Sequence, residues 1–332
     1  MKARKHKLTN TLLAAVCVFT VLPALAFAQS PSETDALAAI KQATNPTTKL
    51  TAAEDFIARF PTSKSRLDIA KLVAAEILKV RNVTVALTLL QRAQAIFTNE
   101  EEREALKPAA FEIYIAANRY DDAFALAKEM LAKNPDDLYV LVRMTQTGVE
   151  ETRKRNRAHA EVSLQYGLKA IALIESGKKP AGIDNESWLA HKSNLGQLYQ
   201  QTAILYLAAD NTQEAKARLT KAALLSPQDP NNFALLGRLI NADYVSQTKD
   251  YEAMPEGNAK QEALKNLEAV VDSMIEAYAR AAALATGRPE YQMLLQQVIP
   301  DLTVYYKYRH NQSTKGLQEL INRYKPRINA GN

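Results

Sequence analysis

From about Thr34 onward, apolar residues recur at i, i+3, i+4 and i+7 in one segment after another, with short polar or Pro-containing links every 12 to 20 residues. That is the period of an amphipathic helix with one face turned to a core. No stretch alternates apolar and polar residues with period two, as a half-buried strand would. Breaks near Pro46, Pro61, Asn82, Asn118, Pro135, Pro180, Asp210, Pro227, Pro255, Pro289 and Pro326 delimit about seven helical pairs. Composition points the same way. Alanine supplies about one residue in six, and 332 residues contain only 10 Gly and 13 Pro. A hydrophobic content of 47% with 7% aromatic supports a packed core and argues against both a disordered chain and a β-sandwich.

Such regularity predicts a repeat, and the stretch 195–237 contains its sharpest register. Ala215, Leu219, Ala222 and Pro227 follow at spacings of 4, 3 and 5, and Phe233, Leu236 and Gly237 at 6, 3 and 1. Small residues let the second helix of a pair approach the first, bulky ones plug the gap between pairs, and Pro stops the second helix where the chain must turn. The same frame recurs in Tyr114, Ala123 and Pro135, in Ala86, Leu90 and Ala93, and in Ala277 with Pro289. On these residues the chain resembles tetratricopeptide-repeat proteins, specifically the exported, degenerate kind of bacterial envelopes. The resemblance implies an all-α, right-handed solenoid of stacked antiparallel pairs over residues 30–332, with the first helix of each pair lining a concave groove. Three departures carry expectations of their own. Tyr199 lies 16 residues before Ala215 rather than 9, which predicts a first helix lengthened by about two turns. The segment from Ser246 to Asn258 reads as an interruption inside a pair, and Pro300 should kink or divide a final helix.

Residues 1–28 have a basic start, an apolar stretch and small residues at Ala26 and Ala28, the pattern of a secretory signal peptide cut after Ala28. The rival reading is an uncleaved anchor, but the apolar run from Leu12 to Ala28 is shorter than the ~20 residues a span needs and is interrupted by Pro23. Cleavage removes Lys2, Arg4, Lys5 and Lys7, so 42 − 4 = 38 basic side chains face 36 acidic ones, net +2 rather than +6. A periplasmic or secreted protein with no global pull toward nucleic acid is expected, meeting the membrane only transiently through its signal peptide. Arg153, Lys154, Arg155 and Arg157 form the one basic block and read as a solvated helix end with its connector. Cys17 leaves with the signal, which excludes disulfides and a cysteine nucleophile.

Motifs for chemistry are wanting, so no enzyme, metal or cofactor is expected. His159, His191 and His310 have no second histidine at three or four residues, no phosphate-cradling glycine loop occurs, and the S-x-x-K at Ser246 to Lys249 lacks its companion motifs. The acidic residues Glu100, Glu101, Glu102 and Glu104, Asp121 with Asp122, and Asp136 with Asp137 precede or open helices, where acids cap and complement the dipole. A protein or peptide partner suits the resemblance better. Its frame puts Ser193, Gln197, Gln201, Asn231, Arg238 and Asn241 on the groove face, where they can meet a backbone or carboxylate; a solvated helix face accounts for the same residues. Tyr305, Tyr306 and Tyr308 with Lys307, Arg309 and His310 form a basic aromatic patch that could stack on sugars, peptides or a membrane, or could cap the last pair. The alternative function is an envelope enzyme or polysaccharide-binding helper with a motif-free site on dispersed helices.

Overall fold

The computed structural model describes residues 32–326; the signal peptide, its cleavage point and Cys17 lie outside them. The chain forms α1 (Glu33–Gln42), α2 (Pro46–Arg59), α3 (Arg66–Ile77), α4 (Val83–Ile96), α5 (Glu100–Ala116), α6 (Tyr120–Lys133), α7 (Leu138–Arg153) and α8 (Ala160–Glu175). It continues through α9 (Asn185–Ser193), α10 (Leu195–Ala208), α11 (Thr212–Leu225), α12 (Pro230–Glu252), α13 (Asn258–Ala285), α14 (Gln292–Arg309) and α15 (Leu317–Arg323). There is no strand among the described residues.

Caps and turns explain the boundaries. Asn45 and Asn82 accept the backbone N–H groups of Thr48 and Val85 at 2.9 and 3.1 Å, satisfying donors that the first turns of α2 and α4 leave free. Asn45→Ala is expected to cost about 1 kcal/mol, measurable as lost amide protection in α2. Asp137 and Asp184 cap α7 and α9 in the same way. Asp137 thus does what an acid at a helix start does. Asn118 and Asp210 end first helices in the left-handed region, at φ 55° each, a conformation that short polar side chains tolerate.

Packing runs in sequence order. Each of the pairs α1/α2, α3/α4, α5/α6, α7/α8, α10/α11, α12/α13 and α14/α15 is internally packed or stacked on its neighbour, and α3 meets α5, α7 meets α10 and α12 meets α14 along one side. These seven pairs, with α9 inserted between the fourth and fifth, make the expected α-solenoid. The core is correspondingly a chain of clusters rather than one centre. Buried alanines such as Ala53, Ala70, Ala93, Ala127, Ala203, Ala215 and Ala222 sit at the close approaches, and Phe56, Phe97, Phe111 and Tyr278 plug the gaps. At Gly167, a Cβ would lie 2.7 Å from Thr202 and 2.9 Å from Thr145, so α8 touches both α7 and α10 there. The long link after α8 is pinned by Trp188 of α9, buried with Leu138, Ile171, Ile174 and Leu198.

Two expectations change, and of the two outcomes expected at Pro300 one falls away. α10 is 14 residues long, the same as α11, and is not lengthened. Tyr206, which lies 9 residues before Ala215, holds the aromatic position, while Tyr199 takes an earlier one. Both face α11, where the Arg218 guanidinium lies 5.7 Å from each ring. The polar segment from Ser246 to Asn258 extends the two helices of its pair rather than interrupting them, giving α12 23 residues and α13 28. A turn at 253–257 joins them, and Lys260 holds the extensions together from 5.4 Å above the Tyr251 ring. Pro300 does not divide α14, which runs unbroken through it; Gln296 and Pro300 are both exposed, so the carbonyl that loses its amide partner is open to water.

Candidate functional site

Polar contacts tie the first helices α3, α5 and α7 into one run and α10, α12 and α14 into another, and α7 packs directly on α10 between the two runs. Arg66 of α3 holds Glu102 of α5 through two bonds of 2.6 and 2.9 Å. Glu112 of α5 accepts the Tyr139 hydroxyl at 2.5 Å and the Arg143 Nε at 3.2 Å, both from α7. Partial burial and then the Glu112 carboxylate push the Tyr139 phenol well above its usual range, so it remains a donor at neutral pH. Further along, Gln200 of α10 donates to Asp229 and Asn232, at 2.7 Å each, across the junction with α12. An open cleft of about 870 Å³ lies between α3 and α5, lined by Lys64, Leu67, Lys71, Glu101, Glu104 and Ala105 among others.

The groove residues expected from the repeat frame divide into three kinds. Ser193 and Asn231 are satisfied locally, the first by the Leu189 carbonyl at 2.9 Å and the second by Asp229 at 2.9 Å. Arg238 and Asn241 lie on the side of α12 that meets α14: Arg238 donates to Gln297, and Asn241 accepts the Tyr305 hydroxyl at 2.6 Å. Gln197 is exposed, Gln201 half-buried, and their amides remain available. Among the described residues Arg238 has no carboxylate within ion-pair distance. Gln197, Gln201 and Arg238 are therefore the members of the set with hydrogen-bonding capacity to offer a partner.

The aromatic patch is not one surface. Tyr306 is buried, donates to the Lys315 carbonyl at 2.9 Å and stacks on His310 at 3.8 Å. Tyr305 is engaged with Asn241, and Tyr308 alone is half exposed. Consecutive positions on a helix point about 100° apart, so three nearly adjacent tyrosines cannot share a face.

Two buried groups near this face carry more than the sequence conveys: Tyr278, which no motif singles out, and Glu102, legible only as an acid at a helix start. The Tyr278 hydroxyl of α13 is buried without a hydrogen-bond partner. Burial pushes its pKa up to about 12, and the Asp301 charge adds to the rise while Arg238 opposes it. Glu102 is 2% exposed; burial pushes its carboxyl up, but Arg66 and the Asn99 cap more than reverse this and hold it below the ordinary range. Among the described residues no group of three or more His, Cys, Asp or Glu could hold a metal ion. No helix there is long and apolar enough to cross a membrane. His159 is bound to Glu151 at 2.9 Å and stacked on Phe124 at 4.0 Å.

No protein-family model matches the chain, and no curated protein matches it. Among solved structures, one of Pseudomonas aeruginosa pilF is similar at 14% identity, covering 76% of this chain and 95% of that one, with a TM-score of 0.37. A monomeric mutant of IFIT1 with m7Gppp-AAAA is similar at 15% identity, covering 84% of this chain and 56% of that one, with a TM-score of 0.36. The same protein with Gppp-AAAA gives 16% identity, the same coverage and 0.35. The chain thus spans little more than half the length of the IFIT1 chains. At such values the fold is carried by the packing described above rather than by these likenesses.

Proposed function

We propose that the chain is a non-enzymatic scaffold of the cell envelope, periplasmic or secreted after cleavage behind Ala28, which binds a protein or peptide through the face of its first helices. The observation that carries this reading is the arrangement of that face. Stacking in sequence order brings first helices together as α3 with α5, α7 with α10 and α12 with α14, and Gln197, Gln201 and Arg238 keep donors and acceptors after the inter-pair contacts are made, which supports the reading. An array of this kind presents an extended surface to an extended ligand, and backbone contacts supply much of the affinity. The partner's chemistry on this reading is neutral or acidic at the position of Arg238.

Crosslinking in intact cells, followed by capture of the mature protein, tests the reading. One partner is expected to be recovered, and Arg238→Ala is expected to weaken its binding about tenfold, the scale of one charge-assisted contact. Gln297→Ala, which removes only the internal contact of Arg238, serves as the control and should leave affinity within about twofold. Equal affinity for Arg238→Ala and the parent removes Arg238 from the site. The export part is checked separately by the mass of the protein in the soluble envelope fraction; an unprocessed chain in the membrane pellet contradicts it.

A further inference from the structure

The basic block is more organised than a solvated connector requires. Arg153, Lys154, Arg155 and Arg157 are all exposed in or beside the turn at 154–159. Beneath them Glu151, 1% exposed, uses both carboxylate oxygens to hold that turn, accepting Asn156 Nδ2 at 2.8 Å and meeting His159 Nδ1 at 2.9 Å. The Asn156 side chain in turn accepts the Ala158 N–H at 3.0 Å. Burying a carboxylate is costly unless it is fully bonded, and here its bonds fix the geometry of a loop whose cations repel one another. Arg155 also stands at φ 64°, a left-handed conformation that glycine adopts freely and a long side chain does not.

The block continues along the edge. The turns at 78–82 and 117–119 follow first helices too, and they carry Lys79, Arg81 and Arg119 with no acid. Lys154 bridges the neighbouring turns, with Nζ 2.7 Å from Asn118 Oδ1 and from the Tyr120 hydroxyl. Some of these charges are matched: Lys79 by Glu76, Arg119 by Asp122, and Arg157 by Asp210 at 3.7 Å. Among the described residues, Arg81, Arg153, Lys154 and Arg155 have no carboxylate within ion-pair distance. Stacked helices repeat at about 10 Å, so the cations are spread along a line rather than gathered around a point.

We propose that this edge docks on an anionic lipid bilayer through headgroup phosphates. A line of separate cations on successive turns matches a surface that offers phosphates everywhere, whereas a single phosphate would need donors that converge. A polynucleotide is the poorer match because the aromatic rings of the edge are already covered, Tyr120 by Lys154 and Phe124 by His159, leaving no platform for bases. The contact is peripheral and electrostatic, and it orients the first-helix face alongside the membrane.

Co-sedimentation of the full chain with vesicles of equimolar phosphatidylglycerol and phosphatidylcholine, against phosphatidylcholine alone, tests the proposal. Binding is expected only to the anionic vesicles and is expected to weaken as salt rises from about 0.05 to 0.15 M. At about fivefold per cation near an anionic surface, the triple variant Arg153→Ala/Lys154→Ala/Arg155→Ala should lose about a hundredfold. Lys178→Ala/Lys179→Ala, in the link on the opposite edge, should bind as the parent does. Equal binding to both vesicle types would place the contact elsewhere and overturn the proposal. So would an unchanged affinity of the triple variant at unaltered helix content, or a preference for a single-stranded oligonucleotide over anionic vesicles that the triple variant abolishes.

Discussion

Glu102→Ala is expected to destabilise the N-terminal pairs by about 3–5 kcal/mol, the cost of leaving a buried charge without its partner. Arg66 would retain only its 3.2 Å bond to the Ile96 carbonyl, and α5 would lose the side chain that receives the Asn99 N–H at 3.3 Å. The pair is not inherently a large source of stability, because burying both ions costs nearly what their attraction returns. Replacing both residues, as Arg66→Leu/Glu102→Leu, should therefore be less damaging than Glu102→Ala alone. Amide exchange in α3–α5 is the suitable measurement, since a solenoid need not unfold in one step. If the double variant proves as unstable as the single one, the loss lies in packing rather than in an orphaned charge. The carboxyl also sets an acid limb. Its folded pKa is depressed, so its contribution is fully present above the unfolded value near 4.3 and is lost as pH falls through the lower folded value. Glu102→Gln should flatten that limb.

The contrast between this pair and the rest of the molecule shows what the sequence could convey. Helical period, turn residues and small-residue spacing are local, and they led to stacked pairs because each pair meets only its neighbours. Glu102 was legible as a helix-start acid, and it does cap α5; its partner Arg66 is 36 residues away, at a distance no local pattern encodes. The error at Tyr199 has a similar origin. Tyr199 and Tyr206 are one heptad apart and lie on the same helix face, so face alone cannot choose between them. The turn at Asp210 and the Asn211 cap, which receives the Glu214 N–H at 3.1 Å, fix where α11 begins and hence which tyrosine takes the position. Arg238 and Asn241 show the same limit, since they meet Gln297 and Tyr305 of α14 from 59 and 64 residues away. The length of the α12/α13 hairpin was likewise concealed by the polar segment from Ser246 to Asn258. Polar residues such as Gln247 and Lys249 form helix there because two long helices support each other, not because an amphipathic pattern demands it.

Gly237→Val should unravel the C-terminal pairs at a cost of about 3 kcal/mol, the upper range for overfilling a packed site. The repeat frame already requires a small residue at 237, and the reason is now concrete. A Cβ there would overlap Cδ1 and Cε1 of Tyr278 and lie 3.0 Å from its Cζ. Tyr278 is 1% exposed and packed with Phe233, Val271, Met274, Leu302 and Tyr306, so its ring has no vacant space into which to retreat. The strain falls on α12 and α13, and α14 leans on both. Amide protection should therefore drop in α12–α15 while α1–α6 stay protected, because coupling passes only between adjacent pairs. Uniform loss of protection along the chain would show one cooperative unit and contradict the nearest-neighbour account. Tyr278 supplies an independent check at the alkaline end. With its folded pKa raised to about 12 against about 10 unfolded, its contribution is whole below pH 10 and disappears as pH rises through the folded value. Tyr278→Phe should remove that alkaline loss, and it should cost little at neutral pH, since the hydroxyl it deletes has no hydrogen bond to lose.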